Sequence, residues 1–249
     1  MNPIDFISHL MPGAYETQLV YGLPAASMIS QSAHETGWGK FIVRDINTGR
    51  DSKNLFNIKG KGPAGYVVVL TKEYYDGHWI EVISRFRAYN NYAESFKDYA
   101  EFIRGNERYA PAVAAAGDPV DYIRKLQSAG YATDPNYASS IISIMEGFKI
   151  PVEVNRFVDT VSDWAKASWK KAVDKKILDG TSPKGPVTRE MLAVVVDKLG
   201  LLDSHYIEQH VVDRLKELGL ITEKHPVAAR VTWGELAAVV LNMKKQQQP

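Results

Sequence analysis

Pro24-Ala25-Ala26-Ser27-Met28-Ile29-Ser30-Gln31-Ser32-Ala33-His34-Glu35-Thr36-Gly37-Trp38-Gly39 reads as one helix with firm ends, opened by a proline and stopped by two glycines. Its closing residues carry the first candidate for chemistry. Glu35 falls at the C-terminal end, where the negative end of the backbone dipole and the apolar neighbours Trp38 and Phe41 would both raise a carboxyl pKa. A general acid working near neutrality needs such a shift. On this feature alone a solvated glutamate competes with the catalytic reading.

Upstream, Pro3 to Met11 and Pro12 to Tyr21 predict two further short helices, each opened by its own proline. Downstream, Arg44 to Gly65 is polar and glycine-rich, a long loop that includes Asn54-Leu55-Phe56-Asn57-Ile58-Lys59-Gly60. Loops of this length are more often functional than idle. Tyr66 to Leu70 and Trp79 to Phe86 are rich in β-branched and aromatic residues, with the turn signal Asp76-Gly77 between them. If those two residues form the turn, Tyr75 pairs with His78, Lys72 with Glu81 and Glu73 with Ile80. Glu73 then shares a face with Val69, Thr71, Ile80 and Val82 and has no cation opposite, which makes it the second candidate. An edge-strand carboxylate reaching water is the alternative. Paired carboxylates flanking a substrate are the equipment of glycoside hydrolysis.

Three amphipathic helices follow, at Tyr92 to Ile103, Asp118-Pro119 to Ala129, and Asp134-Pro135 to Phe148. Tyr131, just before the last of these, could face a ligand with its hydroxyl or simply pack. Ile150-Pro151 predicts a break, because the residue before proline is pushed out of helical geometry. Residues 1–150 are therefore expected as one domain, 151–157 as an extended linker and 158–249 as a smaller all-α domain. That second domain carries a weak repeat, Val187-Thr188-Arg189-Glu190-Met191-Leu192 echoed by Val231-Thr232-Trp233-Gly234-Glu235-Leu236, each preceded by an amphipathic helix, Val161 to Ile177 and Ile207 to Leu218.

Composition narrows the function classes. The chain has 249 residues, 45% hydrophobic and 24% charged, with 30 Lys and Arg against 29 Asp and Glu. A net charge of +1 lacks the field that non-specific nucleic-acid binding relies on, so nucleic acid is not expected as a partner. No cysteine is present, and six dispersed histidines offer no metal-ligand spacing, so no metal and no cofactor is expected. No run approaches the length of a membrane span, and the N-terminus has no signal-peptide pattern.

Taken together, four motifs resemble the bacterial glucosaminidase family of glycoside hydrolases, which includes flagellar peptidoglycan hydrolases, autolysins and phage lysins. They are Gln31-Ser32-Ala33-His34-Glu35-Thr36-Gly37-Trp38-Gly39-Lys40; Asn54-Leu55-Phe56-Asn57-Ile58-Lys59-Gly60; Glu73-Tyr74 with Arg85-Phe86-Arg87-Ala88-Tyr89; and Gly130-Tyr131-Ala132-Thr133-Asp134-Pro135-Asn136-Tyr137-Ala138. The resemblance spans residues 3 to 148 and implies an α+β, mainly α fold: a lysozyme-like helical domain with a small β-hairpin lobe. It implies Glu35 as catalytic acid, Glu73 as second acid and Tyr131 as a tyrosine lining the cleft, with Trp38, Asn54, Phe56, Tyr89 and Tyr137 expected against substrate. Asn57 departs from the pattern, which usually has glycine there.

The C-terminal part more faintly resembles surface-layer homology modules, through Phe157-Val158-Asp159, Trp164-Ala165, Ile177-Leu178-Asp179-Gly180 and Val187-Thr188-Arg189-Glu190. That resemblance implies binding to a secondary cell-wall polymer. Arg189 is the expected anion contact, since a guanidinium just inside a helix N-terminus suits phosphate or carboxylate. The expected protein is an endo-acting N-acetylglucosaminidase on peptidoglycan glycan strands. With no signal peptide read, a phage endolysin of a Gram-positive host is expected, held in the host cytoplasm until holin-type release and not inserting into the membrane. An N-acetylmuramidase or lytic transglycosylase on a related scaffold, and a non-catalytic wall-binding protein, stay open as alternatives.

Overall fold

The structure is a computed structural model that describes residues 1–185 apart from 76, 177 and 179, and the side chains among them apart from those of 72–75, 79 and 164. The chain divides into two compact units, Met1–Val154 and Asn155–Pro249.

The first unit is built around helix α2, Ala25–Thr36, which packs against α1 (Pro3–Tyr21), α5 (Pro119–Ser128) and α6 (Tyr137–Gly147). Its composition explains its position. Ala25, Ala26, Ser27, Ser30, Ser32 and Ala33 are small and buried, so neighbouring helices can approach from several sides. Burying the hydroxyls would be costly without partners, and each has one. Ser27 donates to Pro119 O, Ser30 to Ala26 O, Ser32 to Ile29 O and Thr36 to Ser32 O. Around α2 the remaining core is large and aromatic, with Phe96, Tyr99, Tyr122, Leu126 and Ile141 fully buried.

Residues 3–21 form one helix, where Pro12 predicts two. Phe6, Ile7, Leu10, Met11, Ala14 and Tyr15 continue a single buried face through the proline, whose own ring is exposed. Packing of that face outweighs the one lost backbone hydrogen bond. Helix α3, Tyr92–Arg104, is capped by Asn91, and α5 by Asp118, whose carboxylate accepts from Val120 N and Asp121 N. Helix α6 starts at Tyr137, later than the Asp134-Pro135 signal predicts, because Asp134 caps a turn instead and accepts from Asn136 N. A short helix α4, Ala110–Ala114, connects α3 to α5.

The hairpin forms in the predicted register. Strands β1, Tyr66–Tyr75, and β2, His78–Arg87, are antiparallel, with Tyr75 opposite His78, Lys72 opposite Glu81 and Glu73 opposite Ile80. Gly77 takes a φ of 84°, the left-handed geometry that glycine enters freely. At the other end, Val67, Phe86 and Ala88 form a small buried cluster.

The extended linker expected at 151–157 is instead part of helix α7, Ile150–Asp159. Pro151 sits in its first turn, where a missing N–H costs nothing, and Lys149, at φ 51°, makes the break from α6 one residue earlier. In the second unit, the helix expected from Val161 to Ile177 is a short 3-10 turn at Asp163–Ala165 followed by α8, Lys166–Asp174. Lys184 folds back there, its ammonium 3.9 Å from the centre of the Phe157 ring. Arg189 and both copies of the repeat lie outside the described residues.

Candidate active site

Glu35 stands one residue from the end of α2, which stops where Gly37 turns left-handed at φ 55°. The left-handed turn favours glycine, and a Cβ on Gly37 would come within 2.5 Å of the Phe41 ring, which would have to move aside. The arrest is reinforced by Trp38 N donating to Ala33 O and Gly39 N to Thr36 Oγ1.

Both carboxyl oxygens of Glu35 are held. Oε1 accepts from the Tyr137 hydroxyl at 3.1 Å, and Oε2 accepts from Asn57 Nδ2 at 3.2 Å. Burial pushes this carboxyl above the ordinary glutamate value, and the two hydrogen bonds and the nearby His34 only partly oppose that shift. The His34 ring meets Tyr137 edge-on, with centroids 5.5 Å apart.

Behind Tyr137 runs a buried chain of donors. Gln31 Nε2 donates to the Tyr137 hydroxyl at 2.9 Å, Tyr99 donates to Gln31 Oε1 at 2.6 Å, and the Tyr122 and Tyr99 hydroxyls are 2.8 Å apart. Because the single Tyr99 hydrogen goes to Gln31, Tyr122 must donate to Tyr99. Every hydrogen bond in the chain therefore points toward Glu35, an arrangement in which successive bonds polarise one another.

The sequence candidates sort differently from expectation. Tyr137 meets Glu35 directly and is buried, with only 3% exposure. Tyr131 is half-buried within a tyrosine cluster, its ring centroid 5.7 Å from that of Tyr137, and its phenol is pushed well above 10 by burial first and then by the Glu35 charge. Glu73 is on β1, and the register puts it on the same hairpin face as Val67 and Phe86.

Three of the expected substrate contacts are buried. Asn54 is fully buried and spends its amide on the loop backbone, with Nδ2 donating to Ile58 O and Arg87 O while Oδ1 accepts from Phe56 N and Ile58 N. Phe56, at 3% exposure, stacks on Tyr99 with centroids 4.0 Å apart and belongs to the core. Tyr89 is equally buried, donating to Asp98, whose carboxylate also pairs with Arg87 at 2.7 Å. Trp38 packs edge-on against Phe6 and Phe148, with centroids 5.8 and 4.5 Å away. These residues shape the loop and helix end that hold Glu35.

Sequence reasoning passed over Gln31, Tyr99 and Tyr122, and read Asn57 only as a loop variation. One signal was available: Gln31 and Glu35 are four residues apart on a helix and so share a face.

Residues 11–150 match the glucosaminidase family, described as mannosyl-glycoprotein endo-beta-N-acetylglucosaminidase. The chain belongs to the glucosaminidase family of glycoside hydrolases. Among relatives, it is 39% identical over 142 residues to the peptidoglycan hydrolase FlgJ of Pseudomonas aeruginosa, a match covering 56% of this chain and 35% of that one. It is 33% identical over 152 residues to the exo-glucosaminidase LytG of Bacillus subtilis, covering 59% of this chain and 51% of that one. The chain thus spans about half or less of these curated relatives. Among solved structures, a C-terminally truncated glycoside hydrolase domain of Salmonella typhimurium FlgJ superposes with a TM-score of 0.51 at 36% identity, covering 59% of this chain and 98% of that one. The glucosaminidase domain of this chain is accordingly mainly helical with a small two-stranded sheet, the α+β architecture of that neighbour.

Proposed function

We propose that this chain hydrolyses the glycan strands of peptidoglycan as an endo-β-N-acetylglucosaminidase, with Glu35 as general acid. The observation that carries this reading is the placement of Glu35 at the end of a buried helix of a glucosaminidase domain, its carboxyl raised by burial yet fixed at both oxygens. In the reaction the Glu35 carboxyl gives its proton to the glycosidic oxygen as the bond from that oxygen to the anomeric carbon of N-acetylglucosamine breaks. Positive charge develops on the sugar, and water adds its hydroxyl there while its remaining proton goes to restore the acid form of Glu35. Glu73 is the second carboxylate in this scheme, stabilising that charge or orienting the water from the β-lobe. Tyr131 lines the same region, within electrostatic reach of Glu35. Support for the substrate comes from the relatives named peptidoglycan hydrolase.

Mass analysis of purified walls digested by the full chain tests the reading. New reducing N-acetylglucosamine ends support it. New N-acetylmuramic acid ends would make the enzyme a muramidase, anhydro ends a lytic transglycosylase, and walls whose turbidity never falls would make it a binding protein.

For the rest of the chain we propose a wall-binding role on a secondary cell-wall polymer, with Arg189 as an anion contact, and deployment as a phage endolysin released from a Gram-positive host cytoplasm by a holin. The pattern from Phe157 to Glu190 supports the binding role, as does a charge of 15 basic against 13 acidic residues after residue 150. Retention on host walls by the full chain but not by an Arg189→Ala variant, and host lysis only when a holin is co-expressed, are the expected results.

A further inference from the structure

We propose that Asn57 is a positioning residue whose amide holds the Glu35 carboxylate, in its ionised form, against the loop at 54–58. This rests on the reading of Glu35 as the general acid. Asn57 Nδ2 reaches both Glu35 Oε2, at 3.2 Å, and the Glu35 backbone oxygen, at 3.3 Å. With Glu35 ionised, the amide has one workable orientation here, because its reverse would set Oδ1 against two acceptors.

The side chain is kept at two local costs. Asn57 is left-handed at φ 51°, a conformation that favours glycine, and its Oδ1 is buried with no hydrogen-bond partner among the described residues. Glycine at this position would carry neither cost. A residue retained in strained geometry with an orphaned acceptor points to work done by its remaining atom, Nδ2, and that atom faces Glu35.

Among the described residues, the groups facing Glu35 are few. His34 comes from its own helix, Tyr137 from α6, Tyr131 from the segment preceding α6, and Asn57 from the loop. Tyr137 and Asn57 supply its two side-chain hydrogen bonds, and both favour the ionised form. Taking away the Asn57 amide therefore raises the pH at which Glu35 loses its proton. As a general acid works protonated, the alkaline limb of the activity profile moves upward.

The test uses the full chain with Asn57→Gly, which relieves the backbone, and Asn57→Asp, which keeps the size but adds a like charge. The Glu35 carboxyl is followed by carbon-13 NMR titration with labelled glutamate, assigned by its disappearance in Glu35→Gln. Expected is an upward shift of the Glu35 midpoint by roughly half to one pH unit in Asn57→Gly and by more in Asn57→Asp, with the alkaline limb of wall hydrolysis moving alike and melting of Asn57→Gly no lower than wild type. A midpoint unmoved in both variants overturns the proposal, whatever happens to melting. Because the titration does not depend on turnover, it decides the role of Asn57 even if Glu35→Gln still hydrolyses walls, a result that would instead remove the general-acid reading.

Discussion

Tyr137 donates its hydroxyl hydrogen to Glu35 Oε1 at 3.1 Å, joining helices whose contact residues are 102 positions apart in the chain. The same hydroxyl accepts from Gln31, so it is the last member of a polarised chain that begins at Tyr122.

Tyr137→Phe removes this link while keeping the ring that packs against His34 and Tyr131. Gln31 Nε2 is left in the core without its acceptor, a loss of about 1–3 kcal/mol in unfolding free energy. Glu35 loses a donor to its ionised form, so the alkaline limb of the pH–rate profile shifts upward. Denaturant unfolding and a pH–rate series on the same variant check both effects.

Asn54→Ala is expected to act on stability. Its amide bridges the 54–58 loop to the end of β2, and removal strands buried backbone groups at a cost of about 2 kcal/mol or more. Thermal melting should fall, with loss of activity following the melting curve. Unchanged melting with a raised KM would instead support Asn54 as a substrate contact.

The raised Glu35 carboxyl also ties stability to pH. A folded-state pKa above the ordinary 4.5 means the unfolded chain binds fewer protons between those two values, so this group's contribution is complete below 4.5 and is lost as pH rises through the folded value. The stability difference between Glu35→Gln and wild type should therefore move in favour of the variant across that window. Parallel melting curves at pH 4 and pH 8 read the sign, and a constant difference would contradict the raised value.

Glu73→Gln should reduce turnover roughly tenfold or more while keeping more activity than Glu35→Gln, as fits a group that stabilises charge or orients water. Wild-type turnover on intact walls would make this carboxylate structural.

Much of the fold was legible because its signals are local. Asp118 caps the helix that follows it, and the Asp76-Gly77 pair predicts the hairpin register residue for residue. Pro12 and Pro151 misled for one reason: a proline predicts a boundary from its own backbone, whereas the buried faces of α1 and α7 carry the helix past or onto it. The end of the helix that carries Glu35 was legible from the glycines that stop it. The burial of Asn54, Phe56 and Tyr89 was not, since a motif residue that fixes a loop and one that touches a sugar look alike in sequence. Nor could spacing reveal that Tyr122 and Tyr99 reach Glu35, because that chain exists only once α3, α5 and α6 pack against α2.

The most direct measurement is the rate of reducing-end release from purified peptidoglycan by Glu35→Gln against wild type, in protein shown by circular dichroism to be folded. Loss of the proton donor should lower the rate by a factor on the order of 10² to 10⁴. A folded variant keeping more than about a tenth of the wild-type rate would contradict Glu35 as the general acid.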